Sequence, residues 1–350
     1  MNRNHKEKTM RGALIGLLAI LGIFCGAFAA RAESGKPVPV IFDTDIGSDV
    51  DDAFALAMLH ALVDRRECDL LAVTVSRSNP KSAKLVQMFN AWYGHPSIPV
   101  GLVDNGPLTG DGWYLNDTLR AAEENGFSYP TGRIENAVTL LRRVLAAAED
   151  GSVTIVQVGC STNLARLLDW PADDISPMTG EELAAKKVKV VQAVAGIFGG
   201  DYTHKEANIV SDLPSARKLF ERWPTPIQVS GFEIGMAVVL PFKSVTDDYN
   251  YCPWHPLKTA FESLMTRAFG QMRDWATFDV TSVMQAVRPD RYFTMSQPGT
   301  VTVEEDGTTR FNPDPAGRHQ YFLLPEDAPK ARAEEAIIDL CSQPPLGAER

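Results

Sequence analysis

Hydrophobic residues form two alternating patterns along most of the chain. Short apolar runs rich in Val and Ile, such as VPVIF (38–42) and DLLAVTV (69–75), predict buried strands. Between such runs, apolar residues recur at helical spacing, as in AFALAMLHAL (53–62) and SAKLVQMFNAWY (82–93). Buried strands separated by helices are typical of a parallel sheet covered on both faces. We therefore predict an α/β fold: a single open, mostly parallel, Rossmann-like sheet with helices on both faces.

The pattern continues towards the C-terminus and then changes. Residues 256–272 predict one long helix and residues 331–341 predict a final one. Between them, residues 300–324 indicate a small β excursion around an Asp306-Gly307 turn. Further strands are predicted at 98–103, 153–159, 187–195 and 225–231, and further helices at 137–149 and 213–223.

The first 32 residues stand apart from this pattern. A basic start is followed by an apolar run of 18 residues (13–30) and by a small-residue site, ARA, before Glu33. This layout is typical of a secretory signal peptide, so we divide the chain into a signal at 1–32 and one α/β domain at 33–350. We expect a secreted or periplasmic protein. An uncleaved membrane anchor is the alternative, because 18 apolar residues are nearly enough to cross a bilayer.

Charge and cysteine content narrow the range of partners. The formal net charge is −10, and removal of residues 1–32 makes it more negative because they hold five basic groups and one acid. Such a surface repels nucleic acid polymers. No other stretch resembles a membrane span, so we expect no membrane association after cleavage. The four cysteines beyond the leader are widely spaced, and we favour buried thiols over disulfides, whose pairing the sequence leaves open.

The segment FDTDIGSDVDD (42–52) carries five aspartates and no basic residue. It lies between the first predicted strand and the first helix, at the edge of the sheet where ligands bind. One Asp at a helix start is ordinary, but a pair of like charges 4 Å apart costs about 4 kcal/mol at an effective dielectric near 20. Several converging carboxylates must therefore take up protons or bind a cation. Oxygen ligands without His or Cys favour Ca²⁺, or else Mg²⁺.

Three other interpretations of the segment are weaker. An EF-hand loop beginning at Asp43 needs Gly sixth and Glu twelfth, whereas Gly47 is fifth and Phe54 is twelfth. A phosphatase with an aspartyl nucleophile fits the DTD triplet but not the acids after it. A solvated acidic turn leaves the mutual repulsion without a benefit.

The longer segment DTDIGSDVDDAFAL (43–56) resembles the N-terminal signature of the inosine-uridine type nucleoside hydrolases. The resemblance implies one Ca²⁺ per chain, with Asp45 and Asp52 as ligands and Asp45 also as the base for the attacking water. It further implies that Asp51 accepts a ribose hydroxyl and that Asp43 supports the loop. Asp49 lies in a short insertion relative to members with the shortest loop, and its role is open.

The resemblance extends along most of the chain. VQVGCSTNLA (156–165) resembles the stretch that completes the metal shell with a carbonyl, here that of Val158, with Asn163 nearby. TFDVTSV (277–283) resembles the segment that returns an Asp, here Asp279, to the metal. A helix N-cap is the alternative role of Asp279.

Two further segments imply sugar contacts. AVTVSRSN (72–79) resembles a strand that ends in a ribose-contacting Asn, here Asn79. HKEANIVSD (204–212) resembles a segment whose Glu and Asn, here Glu206 and Asn208, hold the ribose. Asn79 precedes Pro80, so it could instead cap the next helix. Glu206 as a solvated charge and Asn208 as a turn residue are the corresponding alternatives.

The leaving-group side departs from part of the family. Many members have His directly before the late Asp, whereas this chain has Phe278. His204, His255 or Tyr251 could protonate the base instead, or Trp254, Trp275 and Phe278 could stack on it.

We therefore expect an exported Ca²⁺-dependent hydrolase that cleaves ribonucleosides, or related N-ribosides, to ribose and free base. A non-catalytic Ca²⁺-dependent nucleoside or sugar binder is the alternative. The resemblance also implies a homodimer or homotetramer.

Overall fold

The computed structural model describes residues 36–346, and the predicted signal peptide, with its anchor alternative, lies outside them. Within this range one sheet has ten strands, in the order β11-β10-β12-β7-β6-β5-β1-β2-β3-β4, and β8 pairs with β9 in a small second sheet. The strands are β1 Val38–Thr44, β2 Cys68–Val75, β3 Val100–Leu102, β4 Glu135–Asn136, β5 Val153–Gln157, β6 Val188–Val194, β7 Ile227–Ser230, β8 Val239–Leu240, β9 Trp275–Ala276, β10 Gly299–Val303, β11 Thr309–Pro313 and β12 His319–Tyr321.

The large sheet is parallel from β12 across to β4, which confirms the predicted fold class. Only β10 pairs antiparallel, with β11 and β12. The predicted β excursion is therefore present, and it extends one edge of the main sheet. The hairpin turns at Gly307, which adopts a positive φ of 84°.

Helices connect most of the parallel strands. They are α1 Asp51–Asp64, α2 Pro80–Trp92, α3 Leu115–Glu124, α4 Ala137–Ala147, α5 Thr162–Leu168, α6 Gly180–Lys187, α7 Ala207–Ser211, α8 Leu213–Arg222, α9 Phe232–Ala237, α10 Phe242–Asp247, α11 Pro256–Leu264, α12 Phe278–Val287 and α13 Asp327–Cys341.

The long helix predicted at 256–272 is shorter and irregular. After α11 the chain makes one π-helical turn, Met265–Phe269, and stops at Gly270, which adopts a left-handed conformation with φ 67°. Glycine takes up this conformation without the steric cost that a Cβ brings, so it ends the helix where the apolar spacing alone predicts continuation.

Two hydrophobic cores pack against the large sheet. Val40 and Phe42 of β1 belong to one core and Ile41 belongs to the other, as expected for successive residues of a strand. Helix α1 is buried from Asp51 to Leu62, because its sequence has no polar face after the two initial aspartates. The start of α1 is therefore fixed firmly against β1.

The cysteines beyond the leader are unpaired in the structure. Cys68, Cys160, Cys252 and Cys341 are free thiols, and all but Cys252 are buried. Among the described residues, no helix combines the length and hydrophobicity that crossing a membrane requires.

Candidate active site

The aspartate-rich loop lies at the carboxyl end of β1, between β5 and β2. Gly47 allows the chain to turn there with a φ of 130°, a conformation that residues with a Cβ rarely adopt. The Thr44 hydroxyl donates to the Asp52 carboxylate and accepts the Ile46 N–H at 3.1 Å. The loop therefore delivers Asp51 and Asp52 side by side into the first turn of α1.

Three buried carboxylates meet at this point. Oxygens of Asp51, Asp52 and Asp279 all lie within 4.8 Å of one another. Asp279 comes from the first turn of α12, and its backbone N–H donates to Asp51 Oδ2 at 3.2 Å. Two helix N-termini thus point towards the same cluster, and their partial positive charges favour anionic groups there.

The cluster fits a hard cation. Burial, followed by repulsion from the neighbouring carboxylates, raises the pKa of Asp51, Asp52 and Asp279 well above the ordinary value of 3.8. Asp51 Oδ1 is buried and has no hydrogen-bond partner. An unpartnered buried carboxylate oxygen is costly unless it meets a proton or a cation. A set of carboxylate oxygens without nitrogen or sulfur donors is the ligand chemistry of Ca²⁺.

Asp45 lies beside this trio, on the wall of the same cavity. It is 9% exposed, and its Oδ2 lies 3.6 Å from Nη2 of Arg77. Burial raises the Asp45 pKa, and the charge of Arg77 opposes that shift. The structure therefore groups Asp51 with Asp52 and Asp279 most closely, and it places the predicted ligand and base Asp45 next to them.

Asp43 lies beneath the loop, where a supporting role was predicted. Its Oδ2 accepts hydrogen bonds from Thr74 Oγ1 at 2.5 Å and from Asn163 Nδ2 at 2.8 Å. The carboxyl group is fully buried, and this burial raises its pKa to about 7. Asp43 and Asn163 thus link the ends of β1 and β2 to the start of α5.

A cavity of about 240 Å³ opens above the carboxylates. Glu206 lines it from the N-terminus of α7, and its two carboxylate oxygens accept the N–H groups of Asn208 at 2.8 Å, Ile209 at 3.0 Å and Gly196 at 3.1 Å. Burial raises the Glu206 pKa to about 7, although these hydrogen bonds oppose the shift.

The Asn208 amide donates to the carbonyls of Val158 at 2.8 Å and Val194 at 3.1 Å. Val158 lines the cavity, and its carbonyl, the predicted metal ligand, accepts the Asn208 amide.

Two of the predicted substrate residues, Asn79 and Trp275, do not line the cavity. Asn79 does not line the cavity, because its Oδ1 caps α2 by accepting the Lys81 N–H at 3.0 Å and its Nδ2 donates to Asp111 at 2.9 Å. Trp275 lies in β9 against Phe269, at 5.5 Å between ring centroids, and also does not line the cavity.

Asp49, whose role the sequence leaves open, is exposed and lines the cavity. Phe278 lines it and stacks on Phe232 at 5.2 Å.

Arg77 is one of the residues at the site that sequence reasoning missed. It is 3% exposed, and its Nε donates to the Asp45 carbonyl at 2.9 Å while its Nη1 donates to the Gly110 carbonyl at 3.2 Å. Its Nη2 also donates to the Ser48 hydroxyl. One signal was available: Arg77 lies two residues after the apolar strand DLLAVTV, so its guanidinium has to find acceptors at the edge of the sheet, and the neighbouring acidic loop supplies two of them.

These features define an α/β protein with a carboxylate-lined cavity at the carboxyl edge of a parallel sheet. The sequence matches the family model for inosine-uridine preferring nucleoside hydrolase over residues 40–331. The chain belongs to this family of metal-dependent N-glycosyl hydrolases.

Solved structures show the same fold. A plant nucleoside hydrolase is similar with a TM-score of 0.65 and 22% identity, covering 88% of this chain and 100% of its own. A purine-preferring ribonucleoside hydrolase from Gardnerella vaginalis has a TM-score of 0.66 and 17% identity, covering 87% and 99%. An inosine-uridine preferring nucleoside hydrolase from Bacillus anthracis has a TM-score of 0.64 and 17% identity, with the same coverage. No curated protein matches the chain.

Proposed function

We propose that this protein is an exported, Ca²⁺-dependent hydrolase of the N-glycosidic bond in ribonucleosides. The observation that carries the proposal is the buried trio of Asp51, Asp52 and Asp279 beside Asp45, with one Asp51 oxygen unpartnered. Asp52 and Asp279 are in both the predicted ligand set and the observed cluster. The Val158 carbonyl at the cavity wall would complete the shell.

A bound Ca²⁺ would neutralise the carboxylates and lower the pKa of water in the cavity. Asp45 would accept the proton of the attacking water, because its carboxylate lines the cavity beside the cluster and Arg77 holds the loop in place. Positive charge develops on the ribose as the glycosidic bond breaks, and the surrounding carboxylates stabilise that charge.

Asp51 and Glu206 would fix the sugar. Asp51 Oδ1 is free to meet either the ion or a ribose hydroxyl. Glu206 is held rigidly by three backbone N–H groups, and Asn208 extends the same wall of the cavity. Rigid acceptors of this kind position the anomeric carbon for attack, which is a large part of catalysis by enzymes.

The test is release of free ribose from a panel of purine and pyrimidine nucleosides, measured with the purified protein, with chelator, and after Ca²⁺ is added back. We expect hydrolysis that is lost with chelator and restored by Ca²⁺. A protein that binds nucleosides but releases no ribose under any of these conditions would be a binder, and the proposal would be wrong.

The export part of the proposal rests on the leader at 1–32. We expect the mature protein to begin at Glu33 and to be found in the periplasm or the medium, as a homodimer or homotetramer. N-terminal sequencing of each cell fraction tests cleavage. Full-length protein retained in the membrane would support the uncleaved anchor instead.

A further inference from the structure

Part of the cavity wall is aromatic. Phe232 of α9 and Phe278 of α12 both line it, and their rings stack at 5.2 Å with an angle of 28°. The ring of His204 meets Phe232 edge-on, with centroids 4.4 Å apart and an angle of 77°. Aromatic faces are good stacking partners for planar nucleobases. If the sugar lies over the carboxylates, the base lies against this aromatic wall.

The departing base needs a proton. When the bond between the anomeric carbon and the base nitrogen breaks, its electron pair stays on the base, and a proton donor lowers the barrier by neutralising that charge. Phe232 and Phe278 have no proton to give. The donor has to come from elsewhere in the cavity wall, and the segment 204–206 adjoins Phe232 through the ring of His204.

The two residues that follow His204 in the chain already make hydrogen bonds with other groups. The Lys205 ammonium lies 3.1 Å from Asp306 Oδ2 and also donates to Thr308, both in the β10–β11 hairpin. Both carboxylate oxygens of Glu206 accept backbone N–H groups, which hold this side chain in place. His204 is exposed and lines the cavity, so its ring can exchange protons with solvent between turnovers.

The other predicted donors do not reach the cavity. His255 is 2% exposed, and its ring nitrogens face the Leu257 N–H at 3.2 Å and the Trp92 Nε1–H at 3.3 Å. Tyr251 packs near His255 and likewise does not line the cavity. Among residues 36–346, His204 is the only histidine that lines it.

We propose that His204 is the catalytic acid that protonates the departing nucleobase stacked against Phe232 and Phe278. This inference rests on the proposed function. The bond between the anomeric carbon and the base nitrogen breaks, and its electron pair takes the His204 proton. Water forms the new bond to the anomeric carbon and gives its proton to Asp45. Solvent then returns a proton to His204 and removes one from Asp45, so the overall reaction is nucleoside plus water to ribose plus base.

Two substrates with different leaving groups test this role. Inosine needs a proton on its departing base, whereas 4-nitrophenyl β-ribofuranoside releases a stable phenolate without one. We expect His204→Ala and His204→Gln to lower kcat on inosine by about 100-fold or more and to leave kcat on the nitrophenyl riboside unchanged. Thr203→Ala, an exposed neighbour in the same loop, is the matched control and should behave like the wild type with both compounds.

Each other result overturns the assignment. An equal loss with both substrates would mean that His204 only shapes the loop, and no loss with either would mean that it takes no part in the reaction. Failure of the wild-type protein to release ribose from any nucleoside would instead contradict the proposed function itself.

Discussion

Asp51 and Asp52 are adjacent in the chain, buried, and within 4.8 Å of Asp279, a residue more than two hundred positions away. Such crowding is unfavourable unless a cation or protons compensate the charge. The same crowding becomes useful when a sugar acquires positive charge nearby. A destabilising local arrangement therefore has a catalytic explanation.

Asp45→Asn separates the chemical role of this residue from its structural role. The amide keeps the size of the side chain and one oxygen that can bind a cation, but it cannot accept a proton from water. We expect nucleoside hydrolysis to fall by about 100-fold or more while the melting temperature changes little. Full activity in the variant would remove Asp45 as the base.

Asp51→Asn is the informative comparison, because Asp51 belongs to the observed cluster and was predicted to hold the ribose. If Asp51 binds the ion, the variant should lose Ca²⁺ affinity. If it accepts a ribose hydroxyl, KM for nucleosides should rise with Ca²⁺ affinity unchanged. Calorimetry and steady-state kinetics on the same preparation distinguish the two.

Individual site residues were predictable to different degrees. The aspartates, Glu206 and Asn208 could be found because short motifs carry them. Asn79 could not be placed from its motif, because the Pro80 helix start and the carboxylate of Asp111 compete for its side chain. Arg77 was missed because its partners are carbonyls and a hydroxyl brought together only by the fold.

At the scale of elements, the site depends on how closely α9 approaches α12. A Cβ on Gly235 would lie 2.1 Å from Phe278 Cδ1 and 2.7 Å from Phe278 Cα. Only glycine fits against the start of α12, the turn that carries Asp279.

Gly235→Ala should therefore displace the first turn of α12. We expect weaker Ca²⁺ binding and a lower melting temperature, because a backbone atom must move and take Asp279 with it. Gly110→Ala is the matched control, since a Cβ there meets nothing within 4 Å. Equal Ca²⁺ affinity in both variants would show that the α9–α12 contact does not position the ligand.

The elements themselves followed largely from the sequence. Buried strands and their helices carry strong periodic signals, and the observed sheet confirms them. The break at Gly270 and the short helices α3 and α6 were not predicted. Their positions depend on a single glycine or on amphipathic stretches of ten residues or fewer, which tertiary packing can override.

For the whole molecule, buried acids link stability to pH. The pKa of Asp43 is raised from 3.8 to about 7 and that of Glu206 from 4.5 to about 7. The folded chain therefore holds protons that the unfolded chain has released between about pH 4 and 7. Because stability falls with rising pH wherever the folded state binds more protons, the chelated protein should become less stable across this window.

Denaturant unfolding of chelated protein at a series of pH values measures this dependence. Glu206→Gln should show a shallower decline, since one of the buried acids with a raised pKa is removed. A free energy of unfolding that stays level or rises from pH 4 to 7 in the chelated wild type would contradict the account of these buried acids.

Calorimetric titration of Ca²⁺ into the chelator-stripped protein, alongside Asp279→Asn, tests the central claim most directly. We predict one ion per chain for the wild type and clearly weaker binding for the variant, because Asp279 is shared by the predicted ligand set and the observed cluster. Absence of binding to the folded wild type, or equal affinity in the two proteins, would contradict the claim that these carboxylates are gathered around a cation.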